Sequence, residues 1–167
     1  MGATTEHELT RMETNGTVER ISDRETVVTR TINGPARLVF DAWTKAELLE
    51  KWWTPKSFPI RLLSCETDPR VGGTYKLTFG YEGSTFDFFG RYLEVTPPSR
   101  LVWTNDEGAE GGQVTTVTFE ETDGRTRLVV HDVYPSKEAL DEAIASGSTS
   151  GMAEALTQLD ELVPSLA

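Results

Sequence analysis

A chain of 167 residues fits one domain, long enough to bury a sizeable core or a core with a hole in it. Its formal charge of −11, from 16 Lys+Arg against 27 Asp+Glu, excludes a nucleic-acid backbone and an anionic membrane surface as partners, because both repel it. One cysteine, Cys65, permits no intramolecular disulfide and implies a reducing, cytoplasmic setting; MGATTEHELT has no apolar signal core, and no run approaches the roughly twenty apolar residues of a membrane span.

Residues 1–17 are polar and aperiodic and read as a mobile leader, with a single domain over 18–167; Val18 to Ile21 could lengthen the first strand. Thr26 to Ile32 is β-branched and stops at Asn33-Gly34-Pro35, where proline fixes φ and removes a donor. A helix follows, with Ala36, Val39, Phe40 and Trp43 on one apolar face. The spacing Thr44-Lys-Ala-Glu47 predicts a capping box for a second short helix, which buries Leu48, Leu49, Trp52 and Trp53 and ends at Thr54-Pro55.

The rhythm then changes to period two. Strands are predicted over Ile60–Glu66, Thr74–Gly80, Thr85–Val95, Arg100–Asn105, Gln113–Glu121 and Thr126–Val133. Turn residues separate them: Asp68 to Gly73, Tyr81 to Ser84, Pro97-Pro98-Ser99, the polar loop Asp106 to Gly112, and Asp123-Gly124. Phe88-Phe89 breaks the alternation, so a bulge is expected near Gly90. Ser136 is placed to cap a helix from Lys137 to Ala145 that Gly147 closes. A longer amphipathic helix opens at Gly151, with Met152, Ala155, Leu156, Leu159, Leu162 and Val163 at helical spacing. Strands grouped apart from helices imply an α+β fold: a curved antiparallel sheet of about seven strands whose concave face the last helix covers, with a cavity between them.

The strings TRTINGPARLVFDAWT, WWTP, DPRVGG before Tyr75, GRYLEVTPPSRLVWT and TRLVVHD, with a terminal helix opening at Gly151, resemble the activator of heat-shock-protein-ninety ATPase homologue-like family. The resemblance runs over residues 26–164 and implies the helix-grip fold of the START-like (SRPBCC) superfamily. It also implies a deep hydrophobic pocket under the long helix, in a superfamily that spans lipid carriers, polyketide cyclases, hormone receptors and stress proteins. Many relatives open this helix with Gly-Trp; Gly151-Met152 here implies a softer, larger cavity lining.

Chemistry-bearing motifs are few. Trp52-Trp53 suits packing better than a ligand mouth, and Asp68-Pro69-Arg70 suits a turn with a local ion pair better than an anion contact. His131 is the one candidate proton shuttle, yet it and Asp132 point to opposite faces of a strand and form no dyad, so a strand histidine bonded to a neighbour is expected. No nucleophile elbow, phosphate loop or zinc spacing is present, and neither a metal nor a cofactor is expected. The cavity candidates are Trp53 and Phe58 at the mouth and Tyr75, Leu77 and Phe79 on one strand. Phe88, Tyr92, Trp103, Val117, Phe119, Leu128 and Val130 complete the sheet, opposite Met152, Leu156 and Leu159 on the last helix. Three readings follow: a binding protein for a small apolar or aromatic molecule, an enzyme of the cyclase or hydrolase kind using the same pocket, or a co-chaperone-like interaction module. The chain is expected to act as a monomer or homodimer.

Overall fold

The structure, a computed structural model, describes residues 16–106 and 112–166. The leader expected over 1–17 therefore lies, up to residue 15, outside the described residues, as does 107–111 of the expected polar loop. Eight strands form one curved antiparallel sheet: β1 (Gly16–Arg20), β2 (Glu25–Ile32), β3 (Arg61–Thr67), β4 (Thr74–Tyr81), β5 (Ser84–Thr96), β6 (Arg100–Asn105), β7 (Gln113–Thr122) and β8 (Arg125–Val133). Their order is β1-β2-β8-β7-β6-β5-β4-β3. Helices α1 (Ala36–Thr44) and α2 (Ala46–Trp52) connect β2 to β3, while α3 (Lys137–Ala145) and α4 (Ser148–Leu162) follow β8.

This is the expected α+β helix-grip architecture with one strand more. Residues 16–20 do not extend the first strand; they pair back on β2, because Arg20 donates to the carbonyls of Ser22 and Asp23 and closes a turn between them. The two shortest hairpins use consecutive left-handed residues, Glu82-Gly83 and Asp123-Gly124, whose twist matches that of the strands they join.

Three local expectations are corrected. Thr44 does not cap α2: it belongs to α1, and its hydroxyl donates to the Phe40 carbonyl one turn back at 2.9 Å, leaving Lys45 as the N-cap without a side-chain bond. Helix α4 starts at Ser148, three residues before Gly151, on the left-handed Gly147. The bulge falls between Tyr92 and Glu94, not at Gly90, which pairs regularly with Tyr75. Ser136, by contrast, caps α3 as expected, accepting from the Ala139 N–H at 3.1 Å.

The inner face of the sheet is ordered in rows. Leu101, Val117, Val130 and Val28 are register partners across β6, β7, β8 and β2, all buried. Helix α1 closes over this region, with Phe40 edge-on to Phe119 and Trp43 against Trp103. Helix α4 is fixed by polar contacts at its C-terminal half. Asp160 accepts from the Arg30 guanidinium at 3.1 Å and the Asn33 N–H at 2.7 Å, and Thr157 accepts from Arg30. Gln158 donates to the Trp52 and Thr54 carbonyls at 2.9 Å each, satisfying acceptors that the end of α2 leaves open.

Candidate functional site

Above that covered region the inner face changes character. The next row runs Tyr92, Trp103, Thr115, Asp132 and Thr26, and the one beyond pairs Asn105 with Gln113. From Trp103 to Thr26, with Asn105 and Gln113 beyond, these rows border a cleft of about 650 Å³ between the sheet, the segment after α2, helix α3 and the start of α4.

Six expected candidates line the cleft: Trp53, Phe58, Phe79, Phe88, Trp103 and Met152. Trp53 and Phe88 touch, with ring centroids 5.9 Å apart, and Phe58 packs against Gly151, where a β-carbon would come within 2.8 Å of its ring. The other nine lie elsewhere. Tyr75, Leu77 and Tyr92 border a separate void of about 20 Å³ beside Trp43 and Leu49, room for about one water. Val117, Phe119, Leu128, Val130, Leu156 and Leu159 are buried in the core, because α1 and the C-terminal half of α4 occupy the space that the sequence left open. Trp52 and Trp53 part company: Trp52 is fully buried, its indole N–H donating to the Ala42 carbonyl at 2.9 Å.

The central polar group is Asp132. It is 8% exposed, and its Oδ1 accepts from the Thr115 hydroxyl and from Gln113 Nε2. Burial pushes its pKa above the usual carboxylate range, against the pull of those two hydrogen bonds. Burial likewise raises Tyr134, whose hydroxyl hydrogen-bonds Thr26 at the cleft edge. His131 lies on the outer face, 2.8 Å from Glu25, in the neighbour-bonded position expected of it. Asp68 and Arg70 form an exposed local ion pair at 2.9 Å. Burial and nearby carboxylates push Cys65 up to about 11, which leaves an unreactive thiol. Among the described residues no three His, Cys, Asp or Glu side chains gather to hold a metal ion, and no helix is long and apolar enough to cross a membrane.

Sequence reasoning missed Asp132, Thr115 and Gln113 as lining residues. The signal was present: Leu128 and Val130 alternate inward on β8, and the next inward position is Asp132.

Comparison with known proteins agrees with the fold. A Nitrosomonas europaea protein of known crystal structure is 28% identical, with a TM-score of 0.78 over 87% of this chain and 97% of its own. A Rhodobacter sphaeroides protein, 24% identical, gives 0.82 over 90% and 99%, and the AHSA1-like protein from Aeromonas hydrophila, 20% identical, gives 0.65 over 84% and 93%. No curated protein matches the chain. The sequence pattern of the family described as activator of Hsp90 ATPase homolog 1-like protein matches residues 33–164, the span that holds every element from α1 to α4, and the chain belongs to that family.

Proposed function

We propose that the chain is a binding protein that shelters a small molecule with an aromatic or apolar body in the cleft between the sheet and helices α3 and α4. The observation that carries this reading is the cleft itself. Its roughly 650 Å³ falls within the 300–1,000 Å³ usual for small-molecule sites, and aromatic side chains with a few polar groups line it. Trp53, Phe58, Phe79, Phe88, Trp103 and Met152 are the proposed contacts. The lone, partly buried Cys65 supports work in a reducing cytoplasm.

Mass spectrometry of protein purified without detergent tests the reading, together with titration of a hydrophobic fluorescent probe. A retained small molecule, or stoichiometric probe binding that apolar compounds reverse, is the expected result. A fully folded chain that binds no probe overturns it.

A second reading has one observation in its favour. Asp132, a buried carboxylate with a raised pKa at the cleft wall, has the character of a general acid or base, as a cyclase- or hydrolase-like enzyme would need. Turnover of a cleft ligand, abolished in Asp132→Asn with binding retained, would establish it.

A further inference from the structure

We propose that the cleft's ligand is an organic amine, its protonated nitrogen set against Asp132 and its aromatic or apolar body among Trp53, Phe88 and Trp103. This rests on the binding reading above and narrows the ligand class. The charged residues lining the cleft are Asp132, Glu138 and Glu142, with no lysine, arginine or histidine among the described lining. A carboxylate or phosphate ligand would meet three like charges and no counter-ion, inside a chain of net charge −11. A cation is drawn in by the same field.

Asp132 adds an independent reason. A buried carboxylate is ordinarily paired, since leaving water costs several kcal/mol that only a partner offsets. Here both hydrogen bonds reach Oδ1, no described group donates to Oδ2, and no described lysine or arginine pairs with the side chain. Burial raises its pKa, and a ligand ammonium would supply the counter-charge that favours the ionised form. A second open group belongs to the lining: the Thr54 hydroxyl oxygen is buried without a hydrogen-bond partner among the described residues. The aromatic walls suit the same guest, because ring faces attract cations as well as apolar surface. A metal ion fits poorly, since the three carboxylates do not gather at one point.

Calorimetric titration of the native chain near neutral pH with naphthylmethylamine, naphthylmethanol and naphthoate, three probes of similar size, tests this. The amine should bind about tenfold more tightly than the alcohol, and the naphthoate most weakly. Asp132→Asn, which keeps the shape and the Oδ1 acceptor, should erase the amine's advantage while leaving alcohol affinity within about twofold. If that variant does not fold, Glu138→Gln with Glu142→Gln on the exposed side of α3 decides. The pair should weaken amine binding about threefold, less so in high salt, and leave the alcohol unchanged. An amine no tighter than the alcohol, an advantage that survives Asp132→Asn, or an unchanged amine affinity in the double variant overturns the inference. Alcohol binding in those cases still leaves the cleft a binding site, whereas a folded chain that binds none of the three removes both proposals.

Discussion

Gly90 and Thr104 are so close that a β-carbon on Gly90 would lie 1.8 Å from the Thr104 carbonyl oxygen. That carbonyl also accepts the Tyr75 hydroxyl at 2.7 Å, and the Thr104 hydroxyl accepts the Arg91 N–H at 3.1 Å. Here β5 passes from pairing with β4 to pairing with β6, and the bend admits no side chain. Gly90→Ala should therefore destabilise by about 3 kcal/mol or more, the upper end for overpacking, because the obstacle is backbone and cannot turn aside. Urea unfolding checks it; a change below about 1 kcal/mol would mean that the strands part easily.

The adjacent tryptophans should behave differently. Trp52→Ala removes a fully buried ring and the donor to Ala42, and should cost about 3–5 kcal/mol. Trp53 is partly exposed on the cleft, so Trp53→Ala should cost less stability but weaken probe binding. Melting curves beside probe titrations separate the two; equal losses of stability would contradict the division.

Glu154 on α4 accepts the Ser57 N–H at 2.9 Å and the Ser57 hydroxyl, which hold its pKa below the ordinary glutamate value of 4.5. A carboxylate lowered in the folded state contributes stability that is complete above the unfolded value and lost as pH falls through the folded one. Glu154→Gln should melt somewhat below the parent at neutral pH, and the gap should close between about pH 5 and pH 3. A constant gap would assign the loss to packing instead.

Met152 lines the cleft while Leu156, one turn on, is buried in the core. Met152→Trp should fill part of the open space, weakening probe binding with a change in stability below about 1.5 kcal/mol, because the added ring enters a void. Severe destabilisation would place packed atoms where the cleft is drawn.

The architecture was legible because its punctuation is local. Asn33-Gly34-Pro35, Gly83 and Asp123-Gly124 each favour a turn through their own backbone preferences, and the stripe on α4 repeats at helical spacing. The helix α4 start and the failed Thr44 cap were not, since both depend on which neighbour satisfies a polar group first. The cleft was legible only in part. Alternation tells which residues of a strand face inward, but not whether a helix or empty space lies opposite. Val117, Leu128 and Val130 alternate as cleanly as Trp103, yet α1 and α4 cover them. Asp132 was placed on the face opposite His131 but not counted among the cavity candidates, which were chosen for apolar and aromatic character.

The clasp of Asp160 on Arg30 and Asn33 joins positions 130 and 127 residues apart, so α4 meets a strand made near the start of the domain only after every other element exists. During synthesis, the row of Val28, Leu101, Val117 and Val130 stays without its α4 cover until Leu156 and Leu159 have left the ribosome. The nascent sheet thus passes through a stage in which α1 alone covers its inner apolar face, until the closing helix arrives.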